Sequence, residues 1–316
     1  MAKIKNFKWS VNTDKLRVCF NMPDNLYGYL KEHYSRFDEL SKFRILDEDD
    51  FNFVFINEDE TSMTAVLNVR DIEGYFRLGT FTFSNSAKYE GKAFFVFENS
   101  SLYRIYTKTP NVPPQNHICD LLYVANYYGM TFNNITELEL AFDSTYNYIT
   151  TVRNWIKDIE NFDLYINGKK VKDTELLSGY GEYFTRKRSK LSAIPTLYFS
   201  QKKDTDMKMR IYDKAKELEE NSPQKAEQLK EWLGWDDISH LCRVEVVLHN
   251  TNVREFFERC WEQIPDEWRD YDNVLYLLCL PEFRLAMFLD SADRMIYFRN
   301  KRTREKISLV EVGSGI

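Results

Sequence analysis

The chain has 316 residues, 43% of them hydrophobic and 29% charged, with only 11 glycines and 8 prolines. Together these two residues make up about 6% of the chain, roughly half the usual share, which excludes collagen-like, low-complexity and disordered classes. The length allows two lobes or one large sheet-based unit with a substantial core. A net charge of −6 argues against a polyanionic partner, but the sum hides an asymmetry. Residues Asp47 to Glu60 carry seven acids and no base, whereas Tyr183 to Lys216 carries a net charge of +7. Charges beyond a Debye length of about 8 Å are largely screened, so local sign decides what binds where.

In chain order, period-two alternation comes first. It runs through K-L-R-V-C-F at 15–20, F-N-F-V-F-I at 51–56, T-S-M-T-A-V-L-N-V at 61–69 and F-R-L-G-T-F-T-F at 76–83. A-F-F-V-F at 93–97 and Y-R-I-Y-T at 103–107 continue it, and the set reads as antiparallel strands in series. Pro113 and Pro114 break the pattern before a predicted helix at 115–128. A strand at 137–143, a helix at 148–159 and a hairpin turning at Asn167-Gly168 follow. Strands at 196–200 and 207–212 lead into a charged helix from Asp213, interrupted where Ser222 suits an N-cap and Pro223 the first helical position. The strand at 242–248 precedes helices near 253–263, 272–279 and 282–290, and then a basic tail. The expected segments are a strand-rich half at 1–112, a core at 113–250 and C-terminal helices with the tail at 251–316. The expected fold class is α+β, with large, curved, mainly antiparallel sheets in two strand-rich halves and helices on the outer face.

The longest strongly apolar stretch, Val274 to Leu280, is far shorter than the roughly 18 residues of a membrane span, and no secretory signal opens the chain, so a cytoplasmic protein without a membrane partner is expected. Five scattered cysteines without a C-x-x-C pair read as reduced thiols. Four histidines lack metal-site spacing. Phosphate-binding glycine loops, H-E-x-x-H and G-x-S-x-G are all absent, which removes most nucleotide hydrolysis, zinc proteolysis and α/β-hydrolase chemistry.

What remains is a set of acids and one tyrosine in a basic setting. In E-L-E-L-A-F-D, alternation puts Glu137, Glu139 and Asp143 on one face, and in C-R-V-E-V-V-L it pairs Arg243 with Glu245. Three carboxylates on one face call for a cation or bases opposite. Hard oxygen ligands on neighbouring strands suit Mg²⁺ or Mn²⁺, while a solvated sheet face with cross-strand ion pairs explains the same pattern without a metal. In M-R-I-Y-D-K, Arg210, Tyr212 and Lys214 share an extended face, and two cations beside a phenol favour its ionised, nucleophilic form.

The segment T-L-Y-F-S-Q-K-K-D-T-D-M-K-M-R-I-Y-D-K, Thr196 to Lys214, resembles the active-site strands of rolling-circle replication initiators of small plasmids, the Rep-trans class, which are related to tyrosine relaxases of mobile elements. L-E-L-A-F-D at 138–143 is similar to that family's R-L-D-x-A-x-D strand, and R-V-E-V-V-L at 243–248 to its R-x-E strand. The order and separations also fit, over about 136–250. Two departures stand out: Phe199-Ser200-Gln201 replaces the usual Gly-Ser turn, and Glu139 preceded by Glu137 replaces Asp preceded by Arg.

The resemblance implies metal-dependent nicking at a plasmid origin. Tyr212 would retain the 5′ phosphate as a phosphotyrosine and free a 3′-OH primer, with Arg210 and Lys214 balancing charge. Mg²⁺ or Mn²⁺ would be held by Glu139, Glu245 and Asp143. The DNA partner would be single-stranded or cruciform at the nick site, with its backbone tracked by Arg186, Lys187, Arg188, Lys190, Lys202 and Lys203. A homodimer, a host helicase and origin choice in the C-terminal part, through bases such as Arg294, Arg299, Lys301, Arg302, Arg304 and Lys306, complete the expectation. A relaxase with the same chemistry, a non-enzymatic origin-binding protein and a structural or interaction protein remain open alternatives.

Overall fold

Alternation of apolar and polar residues commits most of the chain to sheet before any tertiary contact is considered. The computed structural model describes residues 7–35, 44–71, 74–103, 105–106, 115–187, 194–200 and 207–309. They form two compact units, each assembled from separate stretches: the described residues within 1–12, 139–252 and 281–316 in one, and those within 13–138 and 253–280 in the other. This division by packing does not follow the boundaries at 112 and 250 expected from sequence.

The first half of the chain runs β1 (Trp9–Asn21), α1 (Leu26–Ser35), β2 (Arg44–Asp47), β3 (Phe51–Glu58), β4 (Ser62–Asp71), β5 (Gly74–Ser84) and β6 (Lys92–Phe97). Then come α2 (Asn99–Tyr103), β7 (Ile105–Tyr106), β8 (Gln115–Asn116), α3 (Ile118–Tyr127) and β9 (Thr131–Ser144). Strands β1 and β9 contribute residues to both units. The unit containing 13–138 has strand order β1-β6-β5-β4-β3-β2, every neighbouring pair antiparallel. Alternation buries Phe51, Phe53, Phe55, Met63, Ala65, Leu67, Phe81, Phe83 and Phe95. Tyr123, Tyr127 and Tyr128 at α3 and its end meet Phe51 edge-on. Of the strand expected at 103–107, Ile105–Tyr106 is a strand among the described residues, while Tyr103 belongs to the short helix α2. At Gly79 the register between β4 and β5 shifts, and a Cβ would lie 2.3 Å from the Val96 carbonyl oxygen and 2.5 Å from the Phe95 ring.

The second half runs α4 (Tyr148–Lys157), β10 (Phe162–Ile166), β11 (Lys169–Lys170), β12 (Leu177–Gly179), β13 (Glu182–Phe184), β14 (Thr196–Ser200), β15 (Lys208–Asp213), α5 (Lys214–Asn221), α6 (Pro223–Leu233) and β16 (Cys242–Leu248). It closes with α7 (Asn250–Arg259), α8 (Val274–Leu277), α9 (Pro281–Met295), β17 (Ile296–Asn300) and β18 (Lys306–Ser308). Here the strand order is β13-β12-β14-β15-β16-β9. Helix α4 buries the stripe Tyr148, Ile149, Val152 and Ile156, and Phe288 of α9 stacks on Phe142 of β9 at 5.2 Å. Leu197, Phe199, Met209, Ile211, Val244 and Val246 form the rest of this apolar face. The Asn167-Gly168 turn has φ of 53° and 71°, the left-handed pair that a two-residue hairpin requires.

The fold class is α+β with large antiparallel sheets, as the alternation led us to expect. One expectation about the C-terminal part fails. The basic tail is not a tail: β17 pairs with β10 and β18 in a second sheet, where Phe298 is buried opposite Leu164. Ser222 does occupy the N-cap of α6, but its side chain makes no capping bond. All five cysteines are unpaired, and burial pushes the Cys242 thiol up to about 12. Among the described residues no helix is long and apolar enough to cross a membrane.

Gly79→Ala should destabilise the fold by about 1–3 kcal/mol, the usual cost of forcing atoms into a packed site. A lower urea midpoint at unchanged slope would show it.

Candidate active site

Strand β15 pairs with β16 so that Arg210 lies opposite Glu245 and Tyr212 opposite Arg243. Cross-strand partners share a face, so the polar residues of both strands point away from Ile211 and Val244, which enter the core. Strand β9, next to β16, adds Glu139 and Asp143. Their face is opposite Leu140 and Phe142. The helix after β15 starts where Asp213 caps it, accepting from the Lys216 amide at 3.0 Å, and this leaves Lys214 at the edge of the group.

The Glu245 carboxylate is the centre of the arrangement. Its Oε1 accepts a hydrogen bond from the Tyr212 hydroxyl at 2.7 Å and one from Arg243 Nη1 at 3.5 Å. Its Oε2 accepts from Arg210 Nε. Arg210 also donates through Nη2 to Glu139 Oε1 at 2.6 Å, so one guanidinium bridges the two glutamates. Arg243 donates to both oxygens of Asp143, at 2.6 and 2.8 Å. Glu139, Asp143, Arg243, Glu245 and Tyr212 are buried, whereas the Arg210 side chain is 41% exposed. The three carboxylates are therefore matched by Arg210 and Arg243, and the repulsion expected on an acidic face is relieved by these bases. Glu137 is matched elsewhere, with Lys15 Nζ at 2.9 Å and Arg17 Nε at 3.2 Å.

The two cations expected to favour the tyrosinate do approach Tyr212, but over its ring. The Arg210 guanidinium carbon is 5.8 Å and the Lys214 ammonium 5.7 Å from the ring centroid. Lys214 also pairs with Glu217 at 2.7 Å. At the hydroxyl itself stands a carboxylate, which is suited to receiving the proton.

Of the expected metal set, the structure brings Glu139 and Glu245 together, with carboxylate oxygens within 4.8 Å of each other. Hard oxygen donors at that spacing suit Mg²⁺ or Mn²⁺, and here the partly exposed Arg210 bridges them. Asp143 lies on the same face, but its oxygens are both taken by Arg243.

The expected phosphate-tracking residues divide sharply. Arg186 is buried: it donates to the Ile156 carbonyl at 2.9 Å and to the Phe162 carbonyl at 2.9 Å, closing the end of α4. Carbonyls left without partners in a helix's last turn explain why a guanidinium is drawn there, so this side chain is turned inward rather than spread on the surface. Lys187 is exposed, 3.9 Å from Asp173. Arg188, Lys190, Lys202 and Lys203 lie outside the described residues. The partner that sequence reasoning missed is Arg243 as the clamp on Asp143. The R-x-E spacing put Arg243 on the right face without showing which acid it would meet.

No family model matches the chain, and no curated protein compared with it is similar. Among solved structures, it is similar to one described as a rolling circle replication initiator protein from Geobacillus stearothermophilus. Identity is 15% and the TM-score 0.41, over 94% of this chain and 89% of that one. A likeness of this degree carries no argument about function, which rests on the side chains above.

Asp143→Asn should cost about 3–5 kcal/mol by leaving Arg243 buried without its counter-charge. Replacing both partners by apolar residues of similar size, as in Asp143→Leu with Arg243→Met, should restore much of that loss in urea denaturation.

Proposed function

We propose that this chain initiates rolling-circle replication by nicking one strand of a plasmid origin with Tyr212. The observation that carries the reading is the 2.7 Å hydrogen bond from the Tyr212 hydroxyl to Glu245, within a sheet face where Arg210 links Glu245 to Glu139. A nucleophile within hydrogen-bond reach of a base, itself oriented by a third group, is the geometry that activates a hydroxyl. The order of the three sequence motifs supports the choice of reaction.

In the reaction, Glu245 Oε1 takes the phenol proton as the Tyr212 oxygen attacks the scissile phosphorus. The bond from phosphorus to the 3′ oxygen breaks, the 5′ phosphate stays on Tyr212, and the departing 3′ oxygen takes up a proton to become the primer hydroxyl. Arg210, once it turns from the glutamates, and Lys214 offset negative charge that grows on the phosphate oxygens. Glu139 and Glu245 Oε2 would hold the divalent metal, which when bound supplies Lewis-acid polarisation of the phosphate.

Origin choice by 251–316, a homodimer and a host helicase belong to the same proposal. In that region Lys301 and Lys306 face acids, Asp163 at 3.6 Å and Asp293 at 2.6 Å. Arg302 and Arg304, exposed in the turn between β17 and β18, are better placed to meet DNA.

Incubation with supercoiled plasmid carrying the cognate origin and Mn²⁺ should yield a covalent protein–DNA adduct on a denaturing gel. Tyr212→Phe should abolish the adduct while the fold persists; an adduct that survives would move the nucleophile, with Tyr198 next in line. Glu245→Gln should slow nicking by about 10²–10⁴-fold, the usual contribution of a positioned base. Excess chelator should stop the reaction and added Mn²⁺ restore it; full activity in chelator would overturn the metal assignment.

A further inference from the structure

Sheet register aligns one further row of side chains with the site. Across the strands, Tyr183 of β13 lies opposite Ser178 of β12, Ser178 opposite Tyr198 of β14, Tyr198 opposite Arg210, and Arg210 opposite Glu245. Partners in such a row share a face, so the two tyrosines continue the site's surface away from Tyr212. Their burial differs sharply from that of the site: Tyr183 is 74% exposed and Tyr198 39%, against 1% for Glu245. Leu176 and Tyr180, also exposed, flank β12 on either side. Large rings left in water on a sheet that has apolar residues to spare on its other side call for a ligand.

The spacing and the charges identify that ligand's chemistry. Strands are about 4.8 Å apart, so Tyr198 neighbours Arg210 directly and Tyr183 lies roughly 10 Å further out, about three nucleotide steps of 3.4 Å. Ser178 between them is small and leaves the space between the rings open. In the next row, Ser200 lies opposite Lys208, an exposed cation on the same face. A cavity of about 650 Å³ is lined by Tyr183, Tyr198, Ser200, Lys169 and Lys170. Exposed rings with cations alongside suit unpaired bases and their phosphates, since the base faces inside a duplex are already stacked and unreachable.

We propose that Tyr183 and Tyr198 form a stacking platform for unpaired bases of the DNA strand that leads to Tyr212. The proposal rests on the nicking reading, which expects an unpaired strand, and adds the site that holds its bases: the rings on β13 and β14. Recognition is then tolerant of sequence, because every base offers a π face.

The test uses the full chain with Tyr212→Phe, which prevents turnover, and fluorescence anisotropy with two probes: a labelled 12-nucleotide oligothymidylate and a mixed-sequence duplex of the same length. Adding Tyr183→Ala or Tyr198→Ala should weaken oligothymidylate binding on the order of ten- to a hundredfold each, as loss of one stacked base implies, and leave duplex binding unchanged. Tyr183→Phe and Tyr198→Phe keep the ring and should bind as the parent does, which separates stacking from a folding defect. Three results would overturn the platform: alanine variants that bind oligothymidylate as the parent does, equal losses for single strand and duplex, or no oligothymidylate binding by the parent. Failure of the nicking reading is read separately, as absence of the adduct from the unmodified chain. Ring-dependent binding without an adduct would keep the platform and sink the nicking.

Discussion

The unit that holds the site depends on how one buried carboxylate is satisfied. Glu245 has almost no contact with water and meets Tyr212, Arg210 and Arg243 at once. A charge in that position is tolerable only with partners of opposite sign and well-directed hydrogen bonds, because the dry interior amplifies both its attraction and its penalty when alone. That requirement ties together β9, β15 and β16 and sets which of their faces can be apolar. Helices α4 and α9 then cover the opposite face through Val152, Ile156 and Phe288, so the polar cluster is backed by a rigid core.

The same cluster combines residues of unequal exposure. Asp143 and Arg243 are locked in a bidentate pair, whereas Arg210 is bound on one side to two glutamates and open to solvent on the other. In a buried ion pair the desolvation cost can offset the attraction, so such pairs are weak grounds for stability alone. Here the buried pair joins β9 to β16, and the half-exposed Arg210 joins β15 to the glutamates of both.

Charge along the sequence proved a poor guide to surface. Arg186 belongs to the most basic stretch of the chain, yet it is drawn inward to the carbonyls that end α4. Lys301 and Lys306, in the basic C-terminal stretch, pair with Asp163 and Asp293. The exposed tyrosines of β13 and β14 show the converse. They carry no formal charge, and only Tyr198 falls within a motif, yet the register sets both rings on the face that carries Arg210 and Glu245.

Local patterns determined much of this protein. Period-two alternation marked β3 through β6, β14, β15 and β16 nearly to their ends, since a half-buried strand must alternate. The same rule placed Arg210 with Tyr212, Arg243 with Glu245 and Glu139 with Asp143, because each pair lies on a single strand. Only the tertiary structure decided how those pairs meet. Tyr212 and Glu245 are 33 residues apart, Arg210 and Glu139 71, and Asp143 and Arg243 100. Which acid faces which base depends on the register between strands, and a slip of one residue would turn every side chain to the other face. The fate of the basic tail was hidden for a similar reason. Ile296–Asn300 becomes a strand because Leu164 on β10 offers Phe298 a buried partner, and no short stretch of sequence contains both.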